Sequence, residues 1–126
     1  MINANLDTFI DYEWEHAVEL FYKGYLYYCS GNFIGSIPID KNKFYYTVTR
    51  WKAVTHDNII YHEYRIGNKN GNVLGYEKLL DVEGAYDDVK KKFFSAPIFD
   101  GKSFWEVEKE IAWLEQGEPI IIDGGD

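Results

Sequence analysis

The sequence predicts an α+β fold: an antiparallel sheet of four to five strands, with one helix before it and two after it packed on it, as a single globular unit over residues 1–126. Two features of the chain predict this. Apolar residues recur every three or four positions near the N-terminus and again after Gly84, the period of a half-buried helix. Between Tyr25 and about residue 80 they instead alternate, in runs rich in aromatic and β-branched types. A third observation bounds the answer. At 126 residues the chain has the length of one domain, and its 46% hydrophobic content supplies a core.

The first helix is expected from Asp7, a good N-cap, to Gly24, with Ile10, Trp14, Ala17, Val18, Phe21 and Tyr25 along its buried face. On that helix Asp11, Glu15 and Glu19 fall at i, i+4 and i+8 on the outer side, where like charges repel slightly. A stripe that costs the helix something is expected to have a use. Strands follow. Tyr25–Cys29 is a short aromatic run ended by a turn at Ser30-Gly31-Asn32, and Phe33–Ile39 reads as an edge strand because Pro38 cannot donate to a central ladder. Lys43–Ala53 is the clearest strand and Asn58–Ile66 a second. The Asn70-Gly71 pair before Val73–Tyr76 is a strong hairpin signal, so a meander is expected. After Gly84, Tyr86, Val89 and Phe93 mark a helix stopped by Pro97. Ser103 and Glu106 form the sequence signature of a capping box, opening a last helix with Phe104, Val107, Ile111 and Leu114 buried and Gly117 just past its end. The tail, with Ile120, Ile121 and Ile122, reads as a short strand with an acidic end.

Composition limits the function. No run approaches the roughly 18 apolar residues of a membrane span, and Met1–Asp7 has neither the basic start nor the apolar stretch of a signal peptide. One cysteine excludes a disulfide framework and a thiolate zinc site. A cytoplasmic protein without a membrane partner is expected. With 13 basic against 21 acidic residues the net charge is −8. Such a field repels phosphate-rich partners and attracts basic ones, so direct nucleic-acid binding is disfavoured. The charge is uneven: residues 1–20 hold five acidic residues and no Lys or Arg, 84–126 hold ten acidic against five basic, and the middle is mildly basic. Aromatics reach 18% of the chain, and such rings, apolar at one end and polar at the other, are favoured at interfaces.

No arrangement of reactive residues is specific enough to assign a reaction. Glu13-x-x-His16 has the spacing of di-iron bundle ligands, but those sites use two copies with further glutamates and one is present, so a surface pair is the better account and no metal or other cofactor is expected. Cys29 with His16, His56 and His62 lacks any nucleophile signature and lies in an aromatic run, as a buried small hydrophobe would. His62 and Glu63, adjacent on a strand, point to opposite faces. Gly101-Lys102-Ser103 lacks the preceding glycine run of a phosphate loop. Tyr45, Tyr46, Trp51, Tyr61 and Tyr64 either line a ligand pocket on the sheet or belong to the core.

Small size, acidic balance, abundant aromatics and an α+β layout without catalytic residues together resemble bacterial immunity proteins, the cytosolic antidotes of polymorphic or contact-dependent toxins. The Phe44–Lys52 strand, the Gly101–Glu106 helix start and the acidic ends give the resemblance. It implies a non-catalytic inhibitor that binds a basic cognate toxin such as a nuclease, steered by acidic side chains and locked by aromatic anchors. The acidic candidates are Asp11, Glu15, Glu19, Glu106, Glu110, Asp123 and Asp126. Trp105 and Trp113 are the candidate anchors, since either can lie outside the buried stripe of the last helix. The rival readings are a small-ligand-binding domain or enzyme using the aromatic sheet, with Glu13, His16 or His62 as acid–base groups, and a phage-type mimic of DNA charge.

Overall fold

The N-terminal third is organised by alternation rather than by helical spacing. A computed structural model describes residues 1, 5–35, 38–52, 54–56, 59–61, 77–114 and 120–121, with backbone alone at 51–52, 54–56, 59–61, 114 and 120–121. Its helix α1 covers only Leu6–Thr8, capped by Asn5, whose side-chain oxygen accepts from the Thr8 N–H at 2.9 Å. A π-helical turn over Phe9–Glu13 follows, and the chain then extends into strand β1, Val18–Tyr22. This corrects the single helix expected to Gly24. Val18, Leu20 and Tyr22 are buried and alternate with half-buried Glu19 and Phe21. Val18 serves either period equally, but Leu20 and Tyr22 fit only the period of two. Lys23 and Gly24, at φ of 47° and 85°, form the tight hairpin turn whose twist suits adjoining strands.

Strand β2, Tyr25–Phe33, runs straight through the turn expected at residues 30–32, and β3 spans Phe44–Lys52. Phe33 ends β2, and of the edge strand expected to Ile39 the described residues Ile34, Gly35, Pro38 and Ile39 lie in no strand, while Ser36 and Ile37 lie outside the described residues. Two further short strands are β4, Val54–His56, and β5, Ile59–Tyr61; β6 is Glu77–Gly84. Helix α2, Tyr86–Ser95, agrees with expectation: Asp87 and Asp88 sit in its first turn and Lys92 in its last, matching the helix dipole, and it stops before Pro97. Asp100 and Gly101, both at positive φ, make a second tight turn closed by backbone bonds between Phe99 and Lys102. Helix α3 is shorter than expected, Phe104–Val107, though its capping box is present. A 3-10 turn over Glu108–Glu110 leads into β7, Ala112–Leu114, which pairs with β1 instead of extending the helix.

The main sheet is antiparallel with strand order β6-β3-β2-β1-β7. A second sheet pairs β4 with β5 and β5 with β8, Ile120–Ile121. The α+β class, the five strands, the N-terminal helix and the two C-terminal helices therefore stand as expected. His62, Glu63, Tyr64, the hairpin at 67–72, the strand at 73–76 and Gly117 lie outside the described residues.

The helices cover one face of the main sheet. From the sheet come Val18, Leu20, Tyr22, Tyr27, Cys29, Phe44, Tyr46 and Val48; from the covering layer come Phe9, Trp14, Val89, Phe93, Phe94, Phe99 and Phe104, all in one buried cluster. Trp14, fully buried, sits 4.9 Å from the Tyr46 ring and 5.7 Å from the Phe44 ring, and the Tyr46 hydroxyl donates to its carbonyl. Much of the aromatic content is thereby core, each ring pair adding about 0.5–1.5 kcal/mol beyond area burial. Gly31 lets this happen. It opposes Tyr46 in the register, and its N–H donates to the Glu15 carbonyl at 3.0 Å. A Cβ there would lie 2.8 Å from Tyr46 Cδ1 and nearer still to Phe44 Cζ.

Candidate protein-docking site

Packing decides which of the expected site residues share a surface. Asp11 is exposed on the π-helical turn, next to Tyr12, itself 67% exposed. Glu15 lies in the turn that follows, half-buried, and accepts a hydrogen bond from the Tyr86 hydroxyl at 2.9 Å. Glu19 is in the middle of β1, opposite Tyr28 and Leu114, with its side chain on the face away from Leu20 and the helices. The three carboxylates therefore form no stripe, because the helix that would have aligned them ends at Glu13. Their use is local for at least one of them: Glu15 ties the turn to α2.

At the C-terminal side, Glu106 is exposed, yet its Oε1 accepts from the Ser103 N–H at 3.0 Å, which holds its carboxyl below the usual carboxylate range. Glu110 is exposed on the 3-10 turn. Trp113 is half-buried on β7, with its ring 5.8 Å from the Phe9 ring. It is part of the packing between strand and helical layer, not an external anchor. Asp123 and Asp126 lie outside the described residues.

Trp105 is different. It stays 53% exposed although it adjoins buried Phe104. Its ring lies on that of Phe94, 5.2 Å between centroids and 26° from parallel, and meets the Phe104 ring edge-on at 5.5 Å. Beside it an open groove of about 320 Å³ runs between the N-terminal turn, α2 and α3, lined by Ile10, Lys90, Lys91, Phe94, Ser95 and Trp105. A rigid aromatic ring at the mouth of an apolar groove, with charged side chains around it, has the arrangement of an interface hot spot. Sequence reasoning found Trp105 but missed Phe94, Lys90 and Lys91. Little in the sequence pointed to them, since Phe93 and Phe94 are both buried in the core and the lysines meet Trp105 only through the packing of α2 on α3.

The groups considered for catalysis occupy other places. Cys29 is fully buried and burial pushes its thiol up to about 12, far from a reactive thiolate. His16 is exposed and Glu13 half-buried, and among the described residues no cluster of three or more His, Cys, Asp or Glu is placed to hold a metal ion. Tyr45 and Tyr46 alternate across β3, Tyr46 being wholly in the core, so these two do not share a sheet pocket; the side chains of Trp51, Tyr61 and Tyr64 lie outside what is described. A second groove, about 490 Å³, does contain Arg50, Glu77, Pro97, Ile98 and Asp100. Arg50 is held there by Glu77 at 3.0 Å, by the Tyr27 hydroxyl at 3.5 Å and over the Tyr25 ring at 4.4 Å. No helix among the described residues is long and apolar enough to cross a membrane. No protein-family model matches this chain, and neither curated proteins nor solved structures give a match.

Proposed function

We propose that the chain is a non-catalytic protein-binding inhibitor of the immunity type, which acts in the bacterial cytoplasm on a basic toxin such as a nuclease by covering its working surface. The observation that carries this reading is Trp105, half-exposed and stacked on Phe94 at the edge of an apolar groove. A tryptophan so placed gains by being covered, and the surface of a partner protein can cover it. The net charge of −8, to which exposed Asp11 contributes, supplies long-range attraction to a basic partner.

The test is capture of a partner from the source organism by the purified protein, with the partner identified and its activity assayed. Trp105→Ala should abolish retention while leaving the fold intact. Asp11→Lys should slow association, most visibly at low salt. Retention of the same partner by Trp105→Ala at full affinity would overturn the docking site, and a captured partner whose activity is unaffected would overturn the inhibitor reading.

A second reading, a small-ligand-binding domain, draws on the Arg50 groove, where a guanidinium is oriented by a carboxylate, a hydroxyl and an aromatic face. It predicts a thermal shift with small carboxylates or phosphates that Arg50→Ala removes.

A further inference from the structure

The groove beside Trp105 carries charge of the sign opposite to that of the chain. Among the described residues its only charged lining is Lys90 and Lys91, in a protein of net charge −8. Among the described residues neither ammonium has a carboxylate within 4 Å, although Asp87 and Asp88 lie three to four positions upstream. Lys90 is half-buried with its nitrogen 5.8 Å from the centre of the Trp14 ring, and Lys91 is exposed. The remaining polar group of the lining, the Ser95 hydroxyl, donates to the Lys91 carbonyl at 2.7 Å. The rest of the lining, from Ile10, Phe94 and Trp105, is apolar. Two cations with no carboxylate partner among the described residues thus border an apolar floor.

We infer that this groove receives a segment of the partner protein in which a large apolar side chain stands next to carboxylates. The apolar side chain replaces water over Ile10 and Phe94 and packs against the Trp105 ring; the carboxylates meet the ammoniums of Lys90 and Lys91. A basic segment is turned away from this spot, because its cations would face the lysines across a surface that screens them poorly. The inference rests on the reading of Trp105 as a protein-docking anchor and makes it more specific: a partner that is basic as a whole presents an acidic and apolar stretch here. Long-range attraction and local fit are then served by different parts of the surface, the first by the net charge and the second by the groove.

The probes are three tetrapeptides blocked at both ends: Asp-Leu-Phe-Glu, its neutral counterpart Asn-Leu-Phe-Gln and its basic counterpart Lys-Leu-Phe-Lys. Each is titrated into the whole protein while the indole N–H resonance of Trp105, assigned through Trp105→Ala, is followed by NMR. The acidic peptide should move that resonance and bind about tenfold more tightly than the neutral one, the size expected of two partly exposed ion pairs. The basic peptide should bind more weakly than either. In the Lys90→Gln, Lys91→Gln double variant, checked for an unchanged fold by its other resonances, the acidic and neutral peptides should bind alike.

Equal binding of the acidic and neutral peptides to the native protein overturns the inference, as does preference for the basic peptide or absence of any shift at Trp105. The broader reading fails separately. Partner capture that needs Trp105 but tolerates the double lysine variant leaves the docking site standing and removes the acidic segment. Capture indifferent to Trp105 removes the site itself.

Discussion

Replacing Gly31 by alanine tests the packing that sets the whole helical layer on the sheet. The position is strand backbone that any residue can adopt, so the cost is not one of backbone angle but of space. The new methyl would stand 2.8 Å from Tyr46 Cδ1, closer still to Phe44 Cζ, and 3.1 Å from the Glu15 carbonyl oxygen. Ordinary contact begins near 3.4 Å, so the Tyr46 ring must retreat by about 0.6 Å and the Phe44 ring by more. Neither has room. Tyr46 is wedged between Trp14 and Phe93, at 4.9 and 5.0 Å, and Phe44 between Trp14, Phe33 and Tyr86, at 5.7, 4.9 and 5.0 Å. Overpacking of this kind costs about 1–3 kcal/mol, and rings hemmed in on several sides place it near the top of that range. Against it stands a gain of about 0.4–1 kcal/mol from the stiffer unfolded chain. The net expectation is a loss of about 2 kcal/mol, which for a chain of this length lowers Tm by about 8 °C. Urea denaturation and a thermal melt measure it. The double variant Gly31→Ala, Phe44→Leu should lose less than the sum of the singles, because the smaller side chain vacates the space the methyl needs. A Gly31→Ala protein as stable as the native one would show that the sheet and helical layer are not in this contact.

Other expectations follow from single contacts. Cys29, fully buried, should resist a disulfide-exchange reagent at pH 8 in the native protein and react fully in urea; rapid native labelling would contradict its place in the core. Burial raises the Cys29 thiol to about 12, and burial with the bond to Glu15 raises the Tyr86 phenol from 10 to about 12. Both groups ionise more readily in the unfolded chain, so the stability they confer is complete below about pH 9 and is lost as pH rises toward 12. In Tyr86→Phe, unfolding free energy measured across pH 10–12 should fall less steeply than in the native protein. Ser103→Ala should cost about 1 kcal/mol in urea denaturation through loss of the α3 cap. Glu106, held below its usual range by Ser103, stabilises the fold above that range and ceases to as acid protonates it, so Glu106→Gln should flatten the acid limb of the same profile.

The residues that made the fold legible were those whose pattern admits one period. Phe44–Lys52 alternates without ambiguity, and α2 carries its stripe, its charged ends and its proline stop together. The residues that misled were those compatible with two. Ile10, Trp14 and Val18 satisfy helical spacing, and Trp14 and Val18 sit equally well beside an extended Leu20 and Tyr22. What separates the alternatives is the turn chemistry of Lys23-Gly24, which reads as the end of a helix or the corner of a hairpin depending on what precedes it. The same ambiguity governs residues 108–114. Ile111 and Leu114 continue the helical spacing of Phe104 and Val107, but β1 offers Ala112–Leu114 a backbone partner that a longer helix would forgo. Pairing available only in three dimensions overrode a local preference.

The candidate site was legible in the same uneven way, for a related reason. Trp105 was visible because a tryptophan adjoining a buried stripe must face somewhere, and in one turn of helix Phe104 and Trp105 cannot both face inward. Its neighbours were not visible, since Ile10, Lys90, Lys91 and Phe94 come from two other elements and meet it only through packing. The acidic stripe shows the converse. Asp11, Glu15 and Glu19 form a surface only if one helix carries them, and once the chain leaves the helix at Glu13 the three separate to an exposed turn, a hydrogen bond with Tyr86 and the far face of the sheet. Net charge survives such rearrangement because it belongs to the whole molecule, and so the sign of the long-range field can be read from composition alone. Where a partner makes contact cannot. That depends on which few side chains the fold brings together, and here it has set two lysines beside a tryptophan on a protein of net charge −8, giving the candidate groove a sign that the sum of the charges conceals.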